Sequence, residues 1–259
     1  MADPTTASGS FTAIGFGIDA SRQMTAESLS VLSGASDVYY LLQGVDAEER
    51  IKAIVPKAES LQPYFAAGRI RKQVNQSVRD ILVSRVRGGF QVVVVCSGHP
   101  ALMVWPVQQA IKICFEEGYR TRVLPGISTI DCAIADFAGI LPFRGVQCYD
   151  ATDFLMYKIN VDVSFPLLLM QPASAGDQVL GAHAYIHVLR DMLVQIYGEQ
   201  HGIFLYEAEN GDNQRNILSI QLRMLDLSMC PRCSLLIPPK HGRSLDQDRL
   251  RLSHYSSCD

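Results

Sequence analysis

Hydrophobic and polar positions alternate between two periods along the first half of the chain. Phe11-Thr-Ala-Ile-Gly15 is a short apolar strand that runs into a Gly-Phe-Gly turn. Met24 to Gly34 has helical spacing, with Thr25 placed to cap the helix and Gly34 to end it. Asp37 to Leu42 is an apolar, aromatic strand. Arg71 to Arg87 sets Val74, Val78, Ile81, Leu82 and Arg85 at helical intervals and predicts a long amphipathic helix. Gln91-Val-Val-Val-Val-Cys96 is a continuous β-branched run, the pattern of a strand covered on both faces in a parallel sheet. Ser97-Gly-His-Pro100 breaks it. A helix is expected over Trp105 to Gly118, a strand over Thr121 to Leu124, and a further helix from Ser128 through Phe137.

This order predicts an α/β domain with a mostly parallel sheet. The texture changes after Leu141-Pro-Phe-Arg-Gly145. Strands are expected at Val146–Tyr149, Phe165–Gln171, Gly202–Tyr206, Ile217–Leu222 and Ser234–Ile237, with a helix over Ala182–Tyr197. His183 and His187 then share one helix face at i, i+4, a spacing metal ligands use, although no third ligand is evident. The expected organisation is a flexible N-terminus (1–10), an N-terminal α/β domain (11–142), a C-terminal mixed α/β domain (143–240) and a charged tail (241–259). That tail is expected to form a solvated surface helix.

Composition narrows the function classes. The 259 residues are 48% hydrophobic and 19% charged, which excludes a disordered chain. The net charge of −3 leaves no basic excess to neutralise phosphates, so nucleic acid is not the expected partner. The N-terminus lacks the basic and apolar regions of a secretory signal. The longest apolar runs, Val92–Cys96 and Phe165–Met170, fall far short of the ~20 residues a membrane span needs. A soluble, cytoplasmic protein without membrane partners is expected. Four of the seven cysteines sit in apolar runs, as reduced buried thiols do. Cys230-Pro-Arg-Cys233 is a single CxxC without the second pair a zinc site needs, and no metal is expected.

Ligands of open α/β sheets bind beyond the carboxyl ends of the strands, so the polar breaks there carry the candidate chemistry. They are Gly15-Phe-Gly17, Ser97-Gly-His-Pro100, Leu124-Pro-Gly-Ile-Ser128 and Met170-Gln171-Pro172. Each alone has a plain structural reading. Gly15-x-Gly17 makes a tight turn without completing a dinucleotide fingerprint, and His99 alone reads as a turn histidine.

In order, these breaks resemble the tetrapyrrole methylase superfamily, whose members use S-adenosylmethionine. Within it the chain is most similar to borosin-type α-N-methyltransferases of peptide backbone amides. The supporting stretches are Gly98-His-Pro100, Glu117 to Ser128, Asp131-Cys132, Ala135-Asp136, Tyr149-Asp-Ala-Thr-Asp-Phe154, Gln171 and Leu236-Ile-Pro-Pro-Lys240. The resemblance spans roughly residues 10 to 240. It implies a two-domain tetrapyrrole methylase fold, a homodimer, and a cofactor in the interdomain cleft, left as S-adenosylhomocysteine after transfer. Gly98, His99, Pro100, Leu102 and Val104 would wrap its methionine end, with polar contacts from Ser128 and Thr129. Met170, Gln171, Ala208 and Pro238 would surround the adenosine.

The resemblance also places Arg71 and Tyr64 at the reacting centre, with Asn75 and Ser97 on the substrate side. Here the chain departs from the family pattern. Phe65, Asn75 and Ser97 stand where tyrosines are usual, and none is a competent base. The expected substrate is a separate precursor peptide, because the tail lacks a run of small apolar residues, or an amide-bearing natural-product intermediate. The alternatives are a small-molecule methyltransferase acting on oxygen, carbon or an amine, a tetrapyrrole methylase, and a non-catalytic relative that binds cofactor or peptide.

Overall fold

The computed structural model describes residues 9–141, 144–211, 213–226, 232–243 and 246. Two five-stranded sheets carry the chain. The first is built from β1 (Ser10–Gly15), β2 (Asp37–Leu41), β3 (Glu59–Ser60), β4 (Gln91–Cys96) and β5 (Arg120–Leu124), in the order β3-β2-β4-β1-β5. Every pairing in it is parallel. Between these strands run α1 (Ala26–Ser33), α2 (Val45–Ile54), α3 (Arg71–Arg87) and α4 (Trp105–Glu116), and α5 (Thr129–Asp136) follows β5.

The β-branched run of β4 explains why helices cover both sides of this sheet. Side chains alternate across a strand. Val92, Val94 and Cys96 therefore pack with Val78, Leu82 and Val86 of α3 and Val107 and Cys114 of α4. Val93 and Val95 pack on the other face with Leu32 of α1 and Ile51 of α2. β1 lies between β4 and β5, with Gly15 opposite Cys96 and Ile14 opposite Leu124, so the loops after β1, β4 and β5 leave from the same edge.

The second sheet contains β6 (Gln147–Asp150), β7 (Leu167–Met170), β8 (Gly202–Glu207), β9 (Asn216–Gln221) and β10 (Ser234–Ile237), in the order β6-β7-β10-β8-β9. Only β6 and β7 pair in parallel. Alternation again divides two cores. Leu167, Leu169, Leu235 and Ile237 pack with α6 (Ala151–Met156) and α7 (Ile186–Tyr197). Leu168, Met170, Tyr206 and Leu236 point the other way, onto Ala133 and Phe137 at α5. The helix that follows β5 of the first sheet thus roofs the second, and this shared core is the seam between the two halves. Phe137 stacks edge-on against Tyr206 (5.3 Å) and tilted against Phe204 (5.1 Å).

Helices α3 and strands β4 and β10 have the expected limits, and Thr25 caps α1 by accepting the Ser28 N–H. Two helices were not foreseen. In α2 only Ala47 and Ile51 are buried, so little apolar periodicity marks it. The six-residue α6 depends on Asp150, whose carboxylate accepts the Thr152 N–H. One expectation is corrected. α7 begins at Ile186, and His183 lies before it with φ 51°, so His183 and His187 do not share a helix face. Asp177 takes the N–H groups of His183 (2.7 Å) and Ala184 (3.0 Å), which ties this stretch into a turn instead of a first helical turn. Cys230 and nearly all of the tail lie outside the described residues.

Candidate functional site

Three glycines let the strand-end loops of the first sheet interlock. A Cβ on Gly15 would lie 2.6 Å from the Gly98 carbonyl oxygen and 2.4 Å from the Gly126 nitrogen. One on Gly126 would lie 2.4 Å from that same Gly98 oxygen. The loops after β1, β4 and β5 therefore touch backbone to backbone. Gly98 holds φ +68°, donates its N–H to the Gly17 carbonyl (2.8 Å), and faces the Ser128 Cα. The loop after β2 joins them, since Ser97 donates its N–H to Leu41 and its hydroxyl accepts the Gln43 N–H (2.9 Å).

Beyond Gly98 the backbone turns tightly. His99 Nδ1 accepts the Ala101 N–H (3.1 Å), the His99 carbonyl accepts the Leu102 N–H, and Pro100 is buried. Met103 takes φ 57°, and Val104 is the N-cap of α4. Ser128 is buried and closes a capping box at α5. Its N–H (2.7 Å) and hydroxyl (2.6 Å) donate to Asp131, and its oxygen accepts the Asp131 N–H. Burial raises the Asp131 carboxyl, but the Ser128 hydrogen bonds outweigh it and hold it below the ordinary range. Thr129 is the first residue of α5.

The second half meets this edge at the seam. Met170 and Ala208 belong to the buried cluster that Ile18, Met103 and Ile130 of the first half join. Gln171 sits in the left-handed region (φ 55°) and reaches the Met103 carbonyl with its side-chain amide (3.4 Å). Gly98, Met103, Ser128, Met170, Gln171 and Ala208 are therefore assembled around one junction. Pro238 follows β10, and its carbonyl contacts His201 Nε2. Among the described residues, no hydrogen bond ties it to that loop cluster.

Arg71 opens α3 and crosses the seam. Its N–H donates to Gln178 (2.9 Å) and its guanidinium to the Ser174 carbonyl (2.9 Å). Ser174 in turn donates its N–H to the Gln171 carbonyl (3.1 Å), so Arg71 stands two hydrogen bonds from Gln171. The Arg71 Nε is buried without a partner. An orphaned buried donor costs about 1–3 kcal/mol, which a ligand's carbonyl oxygen would recover. Gly68 and Leu180 strengthen the same junction through main-chain bonds between 68–71 and 178–180.

Tyr64 is placed differently. It lines a cleft on the Gln73–Ser77 face of α3, and Arg71 is not among that cleft's walls. Asn75 is half-buried on α3. Phe65 packs onto the core under α3 and α4, where a phenol oxygen would be of little use to a substrate. Met103, Asp177 and Tyr206 were missed by sequence reasoning. A left-handed methionine carries no sequence signal, whereas Gly176-Asp177 is a turn signature that could have pointed to the ordered 177–184 stretch.

Residues 10–147 match the model of the tetrapyrrole (corrin/porphyrin) methylases. The chain belongs to this family. Family folds with similar architecture include cobalt precorrin-4 methyltransferase (TM-score 0.62, 17% identity, 93% of this chain and 98% of that one). Uroporphyrin-III C-methyltransferase from Thermus thermophilus, complexed with S-adenosylhomocysteine, gives a TM-score of 0.60 at 14% identity, over 90% of this chain and 98% of that one. Among curated proteins, the chain is 34% identical to the methyltransferase/ribosomally synthesized cyclic peptide precursor for gymnopeptides of Gymnopus fusipes, over 97% of this chain and 62% of the relative. It is 31% identical to the corresponding omphalotin A precursor of Omphalotus olearius, over 95% of this chain and 61% of the relative. The chain thus spans about three-fifths of the length of these curated relatives.

The residues at the seam fit the family's cofactor chemically. Gly98 and Met103 offer backbone at close range, Met170 and Ala208 give an apolar wall, and Gln171 adds an amide edge. No helix among the described residues is long and apolar enough to cross a membrane.

Proposed function

We propose that this chain is an S-adenosylmethionine-dependent methyltransferase acting on a backbone amide nitrogen of a peptide. The observation that carries the reading is the seam itself. The Gly98–Val104 loop, the Ser128 cap and Met170–Gln171 converge there, and Arg71 brings an unpaired donor within two hydrogen bonds of Gln171. The relatives named as a methyltransferase joined to a cyclic peptide precursor support a peptide substrate.

When bound, the cofactor supplies a methyl group on a sulfonium, open to in-line displacement. The chain's own residues must then align the nitrogen and help it lose its proton. Arg71 offers its free Nε–H to the substrate carbonyl oxygen, where charge builds as the amide becomes imidate-like. Tyr64 is the proton-handling group of the set. Asn75 and Ser97 orient the peptide by hydrogen bonds, and the Ser97 hydroxyl retains its proton to donate because its oxygen already accepts from Gln43. Gly98, His99, Pro100, Leu102, Val104, Ser128 and Thr129 hold the methionine end, and Met170, Gln171, Ala208 and Pro238 hold the adenosine. The reading includes a homodimer in the cytoplasm.

A small-molecule nucleophile is the second reading, favoured by Asn75 and Ser97, which supply no phenol on the substrate side. Calorimetry with S-adenosylmethionine and S-adenosylhomocysteine tests the class, and one-per-chain micromolar binding is expected. Mass spectrometry after incubation with apolar peptides should show 14 Da gains, on the order of one methyl each. Arg71→Ala should lower turnover about a hundredfold while S-adenosylhomocysteine affinity stays nearly unchanged. Gln171→Ala should instead weaken affinity. Full activity in Arg71→Ala would remove Arg71 from the reacting centre, and absence of binding by either cofactor form would end the methyltransferase reading.

A further inference from the structure

The 68–71 segment does more than launch Arg71 across the seam. It also lines an open cleft of about 350 Å³ whose walls are Tyr64, Gly68, Arg69, Ile70, Gln73, Val74 and Ser77. Gln73, Val74 and Ser77 recur at helical spacing, so one face of α3 forms the wall. No carboxylate lines the cleft. Among the described residues Arg69 has no acidic partner, whereas Arg79, on the next turns of the same helix, is taken by Asp80 at 2.7 Å.

Arg69 is exposed, yet its backbone is fixed. Its carbonyl accepts the Leu180 N–H (2.9 Å), its N–H donates to Ala66, and Ile70 bridges Val179. Gly68, at φ +83°, leaves open space where a side chain would stand, so the approach to Arg69 is clear. The Arg69 backbone is anchored in a cleft that also carries Tyr64, Gln73 and Ser77, and a guanidinium fork matches a carboxylate in both geometry and charge. Lys72, exposed one turn on, adds to the positive field.

We infer that this cleft, whose walls do not include Arg71, is a docking subsite for an acidic side chain of the peptide substrate, read by Arg69. The inference rests on the proposed peptide methylation. It deepens that reading by assigning a substrate feature: an Asp or Glu near the methylated stretch. Tyr64 lines this cleft and Arg71 does not, so the acidic residue would lie away from the amide that Arg71 faces.

The test uses two synthetic peptides of Ala, Val and Gly that differ only in a central Glu or Gln, titrated by fluorescence anisotropy into the full chain. At low salt the Glu peptide should bind about fivefold more tightly, a preference that shrinks as salt is added. Arg69→Gln should abolish the preference, and Arg69→Glu should transfer it to a Lys peptide. Melting curves show whether the variants fold, and exposure of Arg69 favours that. Equal binding of both peptides by the parent, or a preference that survives Arg69→Gln, overturns the inference. If Arg69→Glu changes the oligomeric state by light scattering and no Glu preference exists, the cleft belongs to a second copy and the inference also fails. S-adenosylhomocysteine calorimetry on the same preparation separates the two readings. Cofactor binding without Glu preference sinks only the subsite, and Glu preference without cofactor binding sinks the methyltransferase and with it the subsite's link to methylation, leaving an acidic-peptide cleft.

Discussion

Gly126→Ala is the sharpest perturbation of the site. The added methyl would sit 2.4 Å from the Gly98 carbonyl oxygen and 2.8 Å from the Gly15 Cα. All the nearest atoms are backbone, so no side chain can swing aside. To restore an ordinary contact of ~3.5 Å the loops after β1, β4 and β5 must part by about 1 Å. Overpacking of this kind costs about 1–3 kcal/mol, or roughly 2–10 °C of Tm for a chain of this size. A shift of about 1 Å at an aligned centre also lowers turnover on the order of a hundredfold. Gly139→Ala is the control, because nothing lies within 4 Å of its Cβ and its φ is not in the left-handed region. Differential scanning calorimetry and the rate of methyl transfer read the two effects. A Gly126→Ala protein that melts with the Gly139→Ala control and turns over as the parent does would refute the interlocked-loop account.

Three further outcomes are expected. Tyr206→Phe keeps the ring contact with Phe137 but removes the hydroxyl that donates to the Asp136 carboxylate at 2.7 Å; because Arg215 still pairs with Asp136, a loss near ~1.5 kcal/mol in urea denaturation is expected, and unchanged stability would mean the seam bond contributes nothing. The Asp131 carboxyl is held below its unfolded value, so its contribution is present above the ordinary carboxylate range near ~4 and is lost as pH falls through the folded pKa. Ser128→Ala should therefore cost about 1 kcal/mol at pH 7, with the gap from the parent narrowing at acid pH; a pH-independent gap would contradict the capping box. Burial pushes the Cys96 thiol up to about 12 and Cys114 up to about 11, so both should resist iodoacetamide at neutral pH until the protein is unfolded; peptide mapping that finds either labelled in the native state would show that these core layers open.

Much of the first sheet was legible because its signals are local. The β-branched run of β4 needs helices on both faces whatever else the chain does, and the apolar spacing of α3 fixes its limits residue by residue. Thr25 and Ser128 mark helix starts by chemistry that acts within three residues. Where local hydrogen bonds competed, the same reasoning failed. The Asp177 carboxylate took the N–H groups of His183 and Ala184, and α7 could not extend back to Ala182.

By itself, then, the sequence determined the alternation of strands and helices, the places where strands end in glycine and polar breaks, and the family those breaks resemble. Tertiary structure decided what the breaks meet. That Gly15, Gly98 and Gly126 share one backbone contact depends on strand order, since β1 lies between β4 and β5 although β4 is far along the chain. That α5 roofs the second sheet, that Gln171 reaches Met103, and that Arg71 bonds Ser174 while Arg69 lines a separate cleft follow from the packing of the two halves. Periodicity records which face of an element is apolar; only the closed core selects the partner that covers it, because burial is non-directional and any apolar face would satisfy it.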